Sequence, residues 1–488
     1  MTEENLDQQN NRLKNISFYN DVETQCPIIW TQKRHPESRA IILVKNKGTP
    51  PSFDDHFLNV WAHNNHFQAK NGEILKIPTP DGNVQSVLLG LGDGHDPFGA
   101  ATLYNALEQG HWHFKTLNDD HENETKTFFH FLALAFGSYH FNAYKKKTSH
   151  KKLRFYVPEA YDIDELQRLT HSTFLVRNLI NTPTNDMGPD KIEEAIRYLG
   201  QTYQATVTSI VGEDLLTHNF PMIHTVGRAS HIAPRLVELT WGQTHHPLVT
   251  LVGKGVAFDT GGLDIKPANS MLLMKKDMGG AANVIGLAKL IMSAKLPFRL
   301  RLIVPAVENA IAGNAFRPGD IIKSRKGLNI EVGNTDAEGR LILADALSYG
   351  DEESPHILWD MATLTGAARV ALGPDLPPFY CSDQKLADKI YQASISQYDP
   401  LWQMPLWQPY HDNLSSSVAD MNNMTKDGFA GSITAALFLS RFVEKSDHWA
   451  HFDIYGWTPK AKPGFPIGGE AQAIRTLYHV LKDLKCPL

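Results

Sequence analysis

Asn334-Thr335-Asp336-Ala337-Glu338-Gly339-Arg340-Leu341 sets two carboxylates one residue apart between a predicted strand and a predicted helix. Leu341, Leu343, Ala344 and Leu347 behind the turn have helical spacing. Residues 327–332 before it read as a strand. A charged turn between a strand and a helix is the ligand position of an open α/β sheet, at the C-terminal end of the strand. Charges next to an apolar core are costly unless paired or bound to metal. An acidic turn that caps a helix N-terminus has the same composition, so this motif alone leaves both readings open.

A second cluster narrows the choice. Residues 248–253 form a β-rich apolar run, and Lys254, Asp259, Gly261 and Gly262 follow it directly. Lys266 comes next, then Met274-Lys275-Lys276-Asp277-Met278-Gly279-Gly280. Val284, Leu287, Ala288 and Ile291 then share one helical face. Asp259, Asp277, Asp336 and Glu338, with Lys254, Lys266 and Arg340, therefore hang on Gly-rich loops that let backbone approach a ligand closely. Four carboxylates in one cleft repel without cations. Hard oxygen ligands suit divalent ions, and a pair of ions about 3.5–4 Å apart is a recurring hydrolytic device.

These segments resemble the leucine aminopeptidase (cytosol aminopeptidase) family of dinuclear metallo-exopeptidases. NTDAEGRL is the signature of that family and stands here unchanged. The resemblance also takes in residues 252–267, 277–282 and 362–366, Phe429-Ala430-Gly431, and His451-Phe452-Asp453-Ile454. It runs from about residue 178 towards the C-terminus; the first part of the chain offers no match.

The resemblance implies a site. Lys254, Asp259, Asp277, Asp336 and Glu338 would hold two divalent ions, Mn²⁺ or Zn²⁺, with Asp259 bridging them. Lys254 can ligate only as a neutral amine; on chemistry alone it would pair with Asp259. Lys266 would polarise the scissile carbonyl. Arg340 would hold a bicarbonate that acts as general base, against the plainer reading of a salt bridge to Glu338. Met274, Thr363 and Gly366 match positions that line the pocket for the first side chain. The implied activity is a leucyl-type metalloaminopeptidase that hydrolyses N-terminal residues from peptides through a two-metal-bridged hydroxide. Peptides with a free N-terminus would be its partners, and a homohexamer its assembly. In Ile454-Tyr455-Gly456-Trp457-Thr458, aromatic residues stand where familiar members carry small or aliphatic ones, and Tyr455 would narrow the pocket against leucine. Asn283 also replaces a small apolar residue and is expected just behind the site.

At 488 residues the chain is too long for one ordinary core. The boundary is expected near residue 160. A helix over 162–180 would join an N-terminal α/β domain (1–160, scaffold or oligomerisation) to a catalytic domain (161–488). The smaller domain has predicted strands at 40–44, 87–91 and 153–157 and a helix at 128–136. The larger has strands at 248–252, 300–304, 328–332 and 356–359 and helices at 281–296, 339–348, 432–443 and 470–484. This alternation predicts a mixed sheet sandwiched by helices.

A net charge of −6 argues against nonspecific binding to nucleic acid or anionic membrane. Residues 1–20 are polar, without the apolar stretch of a secretory signal, and no run is long enough to span a bilayer. Three widely spaced cysteines, Cys26, Cys381 and Cys486, form no disulfide framework, so a reducing, cytoplasmic setting is expected. The histidines of His111-Trp112-His113 and His245-His246 are expected on the surface. Two other functions compete with the peptidase: a DNA-binding accessory protein and an inactive homologue. The missing basic stripe counts against the first, and the complete ligand set against the second.

Overall fold

Two sheets organise the chain. The computed structural model describes residues 26–46, 48, 51–116, 124–145 and 151–484, so the predicted polar tail over 1–20 and Cys486 lie outside the described residues. Cys26 and Cys381 are free. The chain divides into two compact units. One runs to Phe174 and takes back Lys460–Ile467; the other holds Leu175–Pro459 and the segment from Gly468. The division falls inside the long helix Ile163–Asn181. No helix among the described residues is long and apolar enough to cross a membrane.

In the first unit the strands are β1 (Ile28–Thr31), β2 (Arg39–Val44), β3 (Ile74–Pro78), β4 (Val84–Gly90), β5 (Gly110–Thr116) and β6 (Leu153–Tyr156). They lie in the order β1-β6-β5-β2-β4-β3. All neighbours are parallel except β3 and β4. Ile41, Leu43, Val87 and Leu89 are buried because a parallel sheet is covered on both faces. Trp30, Phe114, Phe131 and Phe155 meet edge-on or tilted at ring separations of 4.8–6.2 Å. His113, expected on the surface, is buried in β5 between Arg34 and Ser38. Burial and the Arg34 guanidinium push its pKa down to about 4, so it stays neutral. The period-2 alternation of β5 accounts for the correction, since Trp112 and His113 both sit in a strand covered on two sides.

The second unit adds β7 (Thr206–Val211), β8 (Arg235–Trp241), β9 (Leu248–Gly253), β10 (Gly255–Asp259), β11 (Arg299–Asn309), β12 (Ile321–Lys323), β13 (Asn329–Glu331), β14 (Ile357–Ala362), β15 (Pro378–Cys381), β16 (Trp402–Gln403), β17 (Met421–Asn422) and β18 (Trp449–Asp453). The main sheet runs β16-β15-β18-β14-β9-β11-β8-β7, with β10 paired to β11. It is mixed: β18, β14, β9 and β11 are mutually parallel, while β8 is antiparallel to β11 and β15 to β18. Helices cover both faces. Thr250 meets the helix Glu338–Asp351 near Gly350, and Gly253, on the opposite face, meets Ala281 and Val284 of the helix Gly279–Ser293.

Two expectations need correction. The strand ahead of the acidic turn is only three residues long and lies outside the main sheet. It pairs with β12 and β17 in a small separate sheet. The signature therefore reaches the cleft from a side sheet, because Asn423, next to β17, draws it in: its Oδ1 accepts from Gly333 and Asn334 N–H at 2.8 and 3.2 Å. The last helix begins at Ile474 and not at 470. The buried Asp399 carboxylate accepts from Ala473, Arg475 and Thr476 N–H at 3.0–3.2 Å and so fixes where the helix starts.

Candidate metal centre

Lys254 is the single residue between β9 and β10. β9 pairs with the first half of β11 and β10 with the second, so the chain shifts along one neighbour at this point. Lys254 N–H donates to Met361 O at 3.0 Å, and its carbonyl accepts from Ala281 N–H at 2.8 Å. Its backbone is thus clamped between β14 and a helix start, and its side chain is buried. Gly339 makes the room: a Cβ there would lie 2.6 Å from Lys254 Cε and 2.8 Å from Nζ. The signature glycine is where the lysine passes.

All five proposed ligands and Lys266 meet. Lys254 Nζ lies 2.6 Å from Asp277 Oδ2 and 2.9 Å from Glu338 Oε1. The pairing with Asp259 expected from chemistry alone is replaced by these two. Lys266 Nζ lies 2.8 Å from Asp259 Oδ2 and also contacts Asp336 Oδ1. Each lysine is wedged between two carboxylates. Asp259, Asp336 and Glu338 each turn an oxygen to within 4.8 Å of the others. At an effective dielectric of about 20, ionised oxygens at such a separation repel by roughly 3 kcal/mol per pair.

Asp336 precedes the helix and Glu338 opens it, but neither caps it: the helix starts with no side-chain cap. Asp259 does stabilise its turn, accepting from Gly261 N–H at 2.9 Å with Oδ1, and Gly261 adopts a φ of +87° there. Its Oδ2 is left for the cleft. Among the described residues, buried Asp277 Oδ2, Asp336 Oδ1 and Glu338 Oε1 are met only by the Lys254 and Lys266 ammonium groups. Converging buried carboxylate oxygens whose only partners are cations fit hard divalent ions.

Titration follows the same geometry. Burial and the Asp259 charge push Glu338 up to about 8 against the pull of Lys254. Burial and Asp259 push Asp336 up to about 6 against Lys266. Burial alone would lower both lysines, yet the carboxylates around them hold each above its ordinary value, so Lys254 is an ammonium in this state.

The other expected residues lie around this core. Thr363 Oγ1 donates to Asp277 Oδ1 at 2.8 Å. Met274 is half-buried at the start of the turn that carries Asp277. Gly366 opens the helix Gly366–Leu372, and a Cβ on it would meet nothing within 4 Å. Arg340 forms no ion pair with Glu338. Its Nη1 donates to Asn423 O at 2.7 Å, and its buried Nε has no partner. Burial lowers it to about 10, which leaves it cationic at neutral pH.

Several contributors carried no sequence signal of their own. Asn309 Nδ2 donates to Asp259 Oδ1 at 2.8 Å and to Thr335 O at 3.1 Å, joining the two acidic loops. Asp264 Oδ2 accepts Thr335 N–H at 2.8 Å and reinforces that joint. Asp453 lay in a matched segment without a role; it accepts from Leu364 and Thr365 N–H and from Ser432 Oγ at 2.9–3.1 Å. Asn283 bonds Gly279 O and Gln472 N–H, and Gln472 Oε1 accepts from Tyr455 and Gly456 N–H. Its link therefore runs to Tyr455 and not to the carboxylates.

Residues 174–478 match the cytosol aminopeptidase family, catalytic domain. The chain belongs to this family. Residues 54–158 match the M17 aminopeptidase N-terminal domain, so the first part of the chain, which offered no match by eye, has a family too. The probable cytosol aminopeptidase of Roseiflexus castenholzii is 41% identical over 315 residues, 63% of this chain and 64% of that relative. The aligned part thus spans less than two thirds of that relative. The probable cytosol aminopeptidase of Prochlorococcus marinus is 33% identical over 443 residues, covering 86% of this chain and 89% of that one. Among solved structures, cytosol aminopeptidase from Coxiella burnetii superposes with a TM-score of 0.88 at 43% identity, over 94% of this chain and 99% of that one. The bottromycin maturation enzyme BotP, in complex with Mn, gives 0.83 at 30% identity, over 92% and 99%.

Lys254 and Glu338 set a proton condition on any cation entering this family member. A ligating Lys254 must lose its proton, and so must a protonated Glu338. Burial and the Asp259 charge push Glu338 up to about 8, so below that pH it too holds a proton that a cation must displace. Zn²⁺ or Mn²⁺ binding at pH 7 should release protons, and apparent affinity should rise with pH. Calorimetric titration in buffers of different ionisation enthalpy reads the release; identical heats in all buffers would contradict it.

Proposed function

We propose that this chain is a metal-dependent aminopeptidase that hydrolyses the N-terminal residue from peptides. The observation that carries this reading is the pair of lysines, each wedged between two carboxylates whose remaining oxygens converge, in a chain of the cytosol aminopeptidase family. Lys254, Asp259, Asp277, Asp336 and Glu338 would hold the ions; of these, Asp259, Asp336 and Glu338 each turn an oxygen to within 4.8 Å of the others. Two divalent ions, Mn²⁺ or Zn²⁺, would supply Lewis acidity and a water acidic enough to ionise near neutral pH.

The chain's own residues supply the rest. The Lys266 ammonium, placed beside Asp259 and Asp336, would donate to the scissile carbonyl oxygen as negative charge develops there. Arg340 Nε, without a hydrogen-bond partner among the described residues, fits a planar oxyanion such as bicarbonate, which would supply a general base there. A free α-amine is required next to the scissile bond because it too ligates, which makes the site an exopeptidase. The leucyl-type label describes this chemistry; side-chain preference is a separate question.

We propose a homohexamer as the working assembly, as the family resemblance implies. Leu272, Val370 and Phe429 support a buried surface near the site, since all three are large apolar side chains more than three-quarters exposed in one subunit. Light scattering should give a mass well above the 54.6 kDa chain, and a fully active monomer would refute the assembly.

Chelation should abolish release of N-terminal residues, and Mn²⁺ or Zn²⁺ should restore it, while N-acetylated peptides stay intact. Full activity in verified metal-free protein would sink the two-ion reading, and efficient cleavage of a blocked peptide would sink the amine's role. Lys266→Ala should lower kcat by about 10²–10³ with metal retained, the loss typical of one oxyanion donor. An unchanged kcat would remove Lys266 from catalysis.

A further inference from the structure

Beside the residues expected to line the pocket for the first side chain stand two cations with no carboxylate at ion-pair distance. Lys276 lies one residue before Asp277 and two after Met274, on the same short turn. It is buried, and its Nζ sits 4.5 Å above the Tyr455 ring. Arg369 lies one helical turn after Gly366 and so on the same side of the helix Gly366–Leu372. Its guanidinium is 5.3 Å from the same ring, and Nη1 approaches Tyr455 Oη at 3.4 Å. Among the described residues no carboxylate lies within ion-pair distance of Lys276 Nζ or the Arg369 guanidinium. Every other lysine of the site is wedged between acids, so this gap is local to the pocket.

The ring is held firmly. Tyr455 and Gly456 N–H both donate to Gln472 Oε1, at 3.0 and 2.8 Å, and Asn283 orients Gln472. Gly456 packs on Thr363, whose Cγ2 would lie 3.3 Å from a Cβ there, so the aromatic wall stands beside a residue bonded to Asp277. The ring meets both cations. Asp277 and Asp453 act on Lys276 only from beyond ion-pair distance, and a buried ammonium without a direct anionic partner is a costly arrangement that a bound carboxylate relieves.

We infer that Lys276, Arg369 and Tyr455 determine specificity, and that this pocket selects peptides beginning with aspartate or glutamate. The inference rests on the aminopeptidase reading above and names the substrate class of that same site. The side-chain carboxylate would lie between the Lys276 ammonium and the Arg369 guanidinium, against the Tyr455 ring. A basic first residue would meet two like charges there and be rejected.

Mn²⁺-loaded protein is assayed with the p-nitroanilides of glutamate, aspartate, leucine and lysine. The acidic pair should exceed leucine in kcat/KM, and exceed lysine by about 10–100-fold or more, the discrimination that charge-assisted hydrogen bonds provide. Arg369→Gln changes an exposed side chain and should fold normally. It should lower the glutamate-to-leucine ratio of kcat/KM, mainly through KM for glutamate. Lys276→Met should lower that ratio further, by about 10–100-fold, and Lys276→Arg should restore part of it. Free glutamate should compete with the leucine substrate more strongly than free lysine does, and lose that advantage in Arg369→Gln. Cleavage of leucine but not of either acidic substrate would overturn the inference and leave the aminopeptidase reading standing. Equal ratios in wild type and Arg369→Gln would overturn it as well. No cleavage of any substrate by metal-loaded protein would remove both.

Discussion

Charge balance in one buried cleft governs this molecule. Four carboxyl groups converge at the edge of an apolar core, and each of two lysines bridges a pair of them. Without those lysines, mutual repulsion and lost hydration would oppose folding of the loops. With them, the cleft holds together before any cation arrives. The same ammonium groups occupy the positions a cation would take, so loading exchanges one set of positive charges for another. Binding of metal and release of protons are then a single linked event.

That balance depends on backbone geometry some distance away. Lys254 reaches Glu338 because β9 gives way to β10 at one residue and because Gly339 has no side chain. Asp259 reaches Lys266 because Gly261 accepts a left-handed conformation and Asn309 fixes the other oxygen. Asn423 brings in Asp336 by binding the chain just before it. The ligands come from three separate loops, and Asn309, Asp264 and Asn423 join those loops. Loss of one of these joints would leave every ligand present but loosen their mutual distances, which is how outer residues tune metal affinity.

Much of this was legible in the sequence, and the reason differs from residue to residue. The five residues expected as ligands and Lys266 stood in unbroken motifs, and their side chains do meet. The helices Gly279–Ser293 and Glu338–Asp351 followed from their apolar periodicity. Asn309 was not legible, because a lone Asn at a strand end has many ordinary roles and its partners lie 26 and 50 residues away. The strand before the signature was legible as a strand but not as part of a side sheet, since periodicity carries no information about pairing partners. The start of the last helix was set by Asp399, a tertiary cap more than 70 residues distant. His113 was misjudged because histidine is common on surfaces, while its neighbours in β5 place it inside.

Tyr455 joins these levels. Its departure from the small or aliphatic residue of familiar members is visible in the sequence, but what the ring does depends on Lys276 and Arg369, which no motif singles out. The ring's backbone hangs on Gln472, and Gln472 hangs on Asn283, the second departure from the family pattern. Two unusual residues 172 positions apart are thus coupled through one amide. Replacing Asn283 by a small apolar residue would leave Gln472 N–H without its acceptor in a buried position and loosen the wall that Tyr455 forms. Changes at the two positions should therefore be non-additive, because both act on the same ring. Lys276, which faces that ring, stands next to Asp277 in the chain and helps to hold its carboxyl below the ordinary value, so the aromatic wall and the acidic cleft share one turn.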